Sequence, residues 1–209
     1  MRPPLHNIRV NLLHPIYAEL AREHGCAFEK ARSQTLLQSK THDETAWRAA
    51  DNLAVRSAIS CVVFCALSLE AQIYDFAARY LGDGYVAQHL DKLDLVSKWL
   101  VIPLLVTGRE IDKSGAAYGQ LKVVVKARNG LVHYKSDTFS AGGSIADEMP
   151  ALHDKKMAEL DAAAKAAIKA IDDLPETLYL MSSDAFVFMS LPEQRKAKHR
   201  DDSGRVHAT

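Results

Sequence analysis

Ser57-Ala58-Ile59-Ser60-Cys61-Val62-Val63-Phe64-Cys65-Ala66-Leu67-Ser68-Leu69 lies inside a stretch, Glu44 to Leu81, that contains neither proline nor glycine. Apolar residues recur along it at Trp47, Leu53, Val55, Ile59, Val62, Val63, Ala66, Leu67, Ile73, Phe76, Ala77 and Tyr80. The spacing predicts one long helix, and its middle third is apolar nearly all round. Such a helix has to be covered on several sides, by its own bundle or by a second subunit. Asp43 or Thr41 is placed to cap its start, and Gly82-Asp83-Gly84 supplies the stop.

On the N-terminal side, Pro3, Pro4 and Pro15 interrupt any helix over residues 1–15. Residues 15 to 38 read as helical with a break near Gly25. On the C-terminal side, a short helix is expected near Tyr85–Leu90, followed by one capped by Asp91 and kinked or ended by Pro103. After a polar loop at 108–114, a helix begins near Gly115 and carries Leu121, Val124, Val125, Leu131 and Val132. A Ser/Gly/Asp-rich loop fills 136–149. Pro150 opens an amphipathic helix through Met157, Leu160, Ala164, Ile168, Ile171 and Leu174. Beyond Pro175, Leu178–Met181 and Phe186–Met189 fit short strands or helical turns, and 193–209 reads as a loose polar tail.

Several long helices with almost no alternation of period two predict an all-α protein, by default an antiparallel helical bundle. The organisation expected is an N-terminal helical extension (1–43), a helical core (44–136), a loop with a C-terminal amphipathic helix (137–175), and a peripheral segment and tail (176–209).

The 209 residues carry 26 basic and 26 acidic side chains, a formal net charge of zero. Bulk electrostatics therefore gives no pull toward nucleic acid or an anionic membrane, and any RNA binding has to be local. No run of about eighteen continuous apolar residues is present, nor an N-terminal secretory pattern. Both favour the cytoplasm, with no membrane association. Three cysteines, Cys26, Cys61 and Cys65, are too few and too irregular for a disulfide-built fold. Cys61 and Cys65 stand one turn apart in an apolar helix, which fits small packed residues better than a redox or metal pair. His6, His14 and His24 lack metal-ligand spacing, Gly82-Asp83-Gly84 lacks the rest of a phosphate loop, and no cofactor is expected.

One segment points to chemistry. Arg128-Asn129-Gly130-Leu131-Val132-His133 places polar residues within an apolar run. At about 100° per residue, Asn129 and His133 share a face, and Arg128 lies about 140° from His133 with a side chain long enough to reach back. A guanidinium fork suits phosphate, an amide can orient a neighbour, and imidazole titrates near neutrality. The set suits phosphodiester cleavage without metal: His133 would move a proton and Arg128 would stabilise charge on phosphoryl oxygens. Arg128 paired with a carboxylate, and His133 merely ending a helix, is the structural alternative. Glu70, in an apolar helix, needs a partner: a structural ion pair, or Arg128. Arg195, Lys196, Lys198, His199 and Arg200 form a small basic cluster that reads as solvated tail.

The run Val123-Val124-Val125-Lys126-Ala127-Arg128-Asn129-Gly130-Leu131-Val132-His133-Tyr134-Lys135 resembles the last core helix of HEPN domains, whose signature is Arg, a polar residue, several positions, then His. The segment Ser57–Ile73 resembles that fold's first core helix, and Leu93–Trp99 falls where its middle helix stands, so the resemblance spans roughly residues 44–136. It implies a bundle of HEPN type with peripheral N- and C-terminal segments that acts as a homodimer, two Arg/His motifs meeting in one RNA-cleaving cleft. It further implies a metal-independent ribonuclease in a toxin–antitoxin, defence or RNA-processing setting, with RNA and an antitoxin protein as partners. Carried over, Arg128 and His133 are the catalytic pair, with Asn129, Glu70 and Tyr134 in support. The departure is Lys135, where HEPN toxins paired with nucleotidyltransferase antitoxins often have tyrosine; here the tyrosine is Tyr134. Some HEPN domains are catalytically inert modules that bind RNA, nucleotide or a protein partner, and neutral charge without a broad basic stripe favours that alternative.

Overall fold

The structure is a computed structural model that describes residues 9–10, 12–40, 43–133 and 145–182, the last segment without the side chains of 145–148. Among these residues the ordered elements are all helical, and α2 (Glu44–Leu81) is their hub. Asp43 caps it, accepting a hydrogen bond from the Ala46 backbone N–H at 2.9 Å. Gly82 ends it at φ 82°, a left-handed conformation that favours glycine.

Helix α1 (His14–Gln38) runs antiparallel to α2. Ser68 Oγ donates to the His14 carbonyl at 2.8 Å, and the Tyr17 and His24 rings lie against Phe64. The helix does not break at Gly25. Its buried face is Ala18, Ala21, Gly25, Phe28, Ala31 and Thr35, a small-residue stripe that lets α1 approach closely. A Cβ at Gly25 would stand 2.6 Å from Ile168 Cδ1 and 3.5 Å from Cys61 Sγ. Glycine is thus required by a three-helix crossing and does not act as a helix stop.

Past Gly82, a short turn α3 (Asp83–Tyr85) passes into a wide π-turn (Val86–Leu90), and α4 (Leu95–Thr107) follows. Its cap is Asp94, not Asp91, because Asp94 accepts from the Ser97 backbone N–H at 3.1 Å and from Ser97 Oγ at 2.5 Å. Pro103 sits inside α4, which runs on to Thr107 before Gly108 closes it at φ 72°. Helix α5 (Ala116–Val132) starts from Gly115 as its cap. Helix α6 (Ile145–Ser182) begins before Pro150 and passes through Pro175, so Leu178–Met181 is helical. Leu174 and Leu178, both fully buried, hold the chain in helix on either side of a proline that removes one backbone bond. The stretch Phe186–Met189 and the basic cluster at 195–200 lie outside the described residues.

The bundle is not antiparallel throughout: α6 runs parallel to α2. His153 lies beside Asp51, and the Cys61 and Cys65 thiols donate to the Ala164 and Ala167 carbonyls at 3.9 and 3.3 Å. Against α1, α6 is antiparallel, with Arg22 bound to Asp172 at 2.6 Å. The chain between α2 and α6 makes the crossover that parallel neighbours require. One hydrophobic core joins these elements, including Phe28 of α1, Leu69 and Ile73 of α2, Trp99 of α4, Leu121 of α5 and Leu174 of α6. Segment 1–43 therefore supplies core through α1 instead of standing apart as an extension, and the division expected at 175 falls within a helix.

By length and composition α2 would suffice to cross a membrane, with an eighteen-residue stretch of mean hydropathy 1.7, half of it buried in the bundle. Four long helices of the described residues, α1, α4, α5 and α6, pack against it. Burial likewise pushes the Cys61 thiol up to about 12, so Cys61 and Cys65 are packing residues that keep their protons.

Candidate functional site

Helix α5 buries only Leu121 and Val124 fully, and its last turns emerge from the bundle. Arg128, Asn129, Gly130, Val132 and His133 are all exposed, with Leu131 half-buried between them. His133 caps the helix at φ −104°, ψ 35°, its backbone N–H still donating to the Asn129 carbonyl at 2.9 Å. The Arg128 Nη1 donates to Asn129 Oδ1 at 3.1 Å. That bond draws the guanidinium toward the face that Asn129 shares with His133, one turn on.

His133 ends the helix, as the structural alternative has it, but Arg128 is paired with no carboxylate among the described residues. No salt bridge engages Arg128 or His133 among the described residues. The contrast with other histidines is direct. His24 stacks on Phe64, His89 meets the Tyr85 ring in a tilted contact, and His153 lies 3.4 Å from Asp51 and against Trp47. Burial pushes the half-buried His14 imidazole below its ordinary value. Among the described residues no three His, Cys, Asp or Glu side chains gather into a metal-holding group.

Glu70 goes elsewhere. Its carboxylate binds Lys98 of α4, a buried lysine that also lies 3.5 Å from Asp91. Of the two readings of Glu70, the structure takes the ion pair: it neutralises a buried ammonium and is not hydrogen-bonded to Arg128. Tyr134, the remaining supporting residue, lies outside the described residues. A cleft of about 400 Å³ opens between Arg9, Val10, Leu12 and Leu13 and the Leu67–Asp75 part of α2, and neither Arg128 nor His133 lines it. Within one chain, the motif is an exposed helix end.

What sequence reading passed over is the company the motif keeps. Lys122, Lys126, Asn129 and His133 stand at i, i+4, i+7 and i+11, and all four are exposed. They fall within an arc of about 60° on α5. No aspartate or glutamate occurs in Ala116–Val132. The protein has a formal net charge of zero, yet α5 carries a narrow basic stripe. Helical spacing and the missing carboxylates were its signals in the sequence.

Comparison with protein-family models, with curated proteins and with solved structures finds no match to this chain.

Proposed function

We propose that this chain is a metal-independent endoribonuclease of HEPN type, working in the cytoplasm as a homodimer in which two Arg128/His133 motifs line one RNA cleft. The observation that carries the reading is the pairing of an exposed guanidinium and an exposed imidazole at one helix end, neither tied to a carboxylate among the described residues. A structural arginine or histidine is normally spoken for by a partner, as Arg9, Arg22 and His153 are.

In this reading His133 accepts the 2′-hydroxyl proton as the 2′-oxygen attacks phosphorus, or returns a proton to the departing 5′-oxygen. The phosphorus–5′-oxygen bond breaks as the 2′-oxygen bond forms, leaving a cyclic phosphate and a free hydroxyl. Arg128, oriented by Asn129, meets the charge that builds on the non-bridging oxygens. A second copy supplies the second imidazole and the walls that one exposed helix end lacks. A toxin or defence role, with an antitoxin protein as partner, belongs to the same proposal.

The test is incubation of purified protein with varied single-stranded RNAs in EDTA. Cleavage is expected, and it should fall by about a hundredfold or more in His133→Ala and in Arg128→Ala. Light scattering should give twice the chain mass. Intact RNA throughout, or cleavage indifferent to both substitutions, removes the nuclease.

The second reading is an inert HEPN-like module that binds RNA, nucleotide or a protein. It is favoured by the 400 Å³ cleft lying away from the motif. It predicts that His133→Ala preserves binding and cellular phenotype, and loss of either would refute it.

A further inference from the structure

We propose that the exposed face of α5 is a phosphate track for single-stranded RNA, with Lys122 and Lys126 leading the strand to Asn129 and His133. The proposal rests on the RNA-directed reading above and adds to it the substrate class and two binding residues outside the Arg/His motif.

Three observations carry it. The first is alignment: Lys122, Lys126, Asn129 and His133 form one exposed line on a single helix, about 16 Å long at 1.5 Å per residue. The second is charge: Ala116–Val132 carries Lys122, Lys126 and Arg128 and no carboxylate, in a chain whose formal net charge is zero. The third is vacancy of partners. Among the described residues no salt bridge engages Lys122, Lys126 or Arg128, whereas Arg22, Lys98 and Lys165 are each paired. The Lys122 ammonium lies 5.6 Å from the Tyr118 ring centroid, a cation–π contact that neutralises no charge, and among the described residues it has no counter-ion.

Helix energetics does not account for the line. Like charges at i and i+4 oppose each other and weaken the helix. The helix dipole favours cations only within the last turn, and Lys122 and Lys126 lie before it. A row of unneutralised cations matches a polyanion. Because the line is one residue wide, it follows one phosphate backbone, as positively charged grooves do for single strands. A duplex carries a second backbone that a line one residue wide does not match. The end of the line is the imidazole that a 2′-hydroxyl has to reach.

The test separates binding from cleavage. The probe is a short fluorescein-labelled 2′-O-methyl oligonucleotide of mixed sequence, which keeps the phosphates and removes the attacking hydroxyl. Anisotropy titrations across salt are run on the full-length protein, on Lys122→Gln/Lys126→Gln, and on Lys155→Gln/Lys169→Gln, where the same charge is removed from exposed positions of α6. The α5 pair is expected to weaken binding about tenfold or more and to lower the salt slope by about 1.4, at about 0.7 per single-strand phosphate contact. The α6 pair should bind as the parent does, and Lys122→Arg/Lys126→Arg should retain affinity. Circular dichroism confirms that each variant is folded.

Equal affinity and slope in the α5 variant overturn the track while leaving the nuclease to its own assay. So does equal affinity for the matching duplex, or for an oligoglutamate peptide, which would mark a general anion surface. Lysine-dependent binding by a protein that cleaves nothing supports the track and sinks the catalytic reading. Absence of binding by the parent protein at low salt overturns the track outright.

Discussion

Two glycines in helices show how one residue type serves opposite ends. Gly25 of α1 leaves no room: its missing Cβ would press on Ile168 Cδ1 at 2.6 Å and Cγ1 at 3.0 Å. Gly119 of α5 faces open space, with nothing within 4 Å of a Cβ there. Overpacking costs about 1–3 kcal/mol, so Gly25→Val should lower the urea-derived stability by that amount, and Ile168→Ala in the same chain should recover part of it. Gly119→Ala should raise stability by about 0.8–1 kcal/mol through helix propensity alone. A Gly25→Val variant as stable as the parent would mean that α1 and α6 do not cross there. Legibility at this scale was partial. The helical setting of the motif residues could be read in order, but their exposure and Gly25 could not, the latter because its reason lies in Ile168, more than a hundred residues away.

Among the elements, α4 offers the sharpest test of local control. Asp94 closes its first turn through the Ser97 N–H and hydroxyl, and these bonds hold the Asp94 carboxyl below its ordinary value of 3.8. A depressed carboxylate stabilises the fold above its unfolded value and loses that contribution as pH falls through the lower folded value. Asp94→Ala should therefore cost about 1 kcal/mol at neutral pH, and the gap from the parent should close as pH drops below the usual carboxylate range. Urea midpoints of the two proteins against pH provide the measurement, and a gap that stays constant into acid would contradict the cap. The sequence named Asp91 here because both aspartates precede the apolar run. What separates them is that Asp91 turns to Lys98, already committed to Glu70. At α5, the element carries the functional argument as a unit, since its basic line exists only when 3.6-residue periodicity is imposed on Lys122, Lys126, Asn129 and His133.

For the molecule as a whole, the bundle depends on α1. Phe28, Ala21 and Ala31 belong to the same core as Leu69 and Trp99, and α1 lies along α2 over most of its length. A chain beginning at residue 44 should fail to fold, giving no cooperative thermal transition by circular dichroism. A stable, cooperatively unfolding 44–209 fragment would restore α1 to the status of an extension. Net neutrality also gains meaning at this scale: with no long-range attraction to nucleic acid, the proposed RNA binding needs a local site, and among the described residues the exposed face of α5 is the candidate.

The order of residues alone determined α2, since capping side chains, glycines and apolar periodicity act within a few positions: Glu44 to Leu81 and the close at Gly82 follow from neighbours in the chain. It also determined that Arg128 and His133 occupy one helix end. Tertiary structure decided what depends on distant partners. It kept α1 helical through Gly25 and carried α6 past Pro175 on the burial of Leu174 and Leu178. It set α6 parallel to α2, and it turned Glu70 to a buried lysine, leaving the arginine of the motif to its neighbouring amide. Backbone hydrogen bonds are short-range and legible locally; packing and charge pairing join residues whose proximity only the folded chain creates.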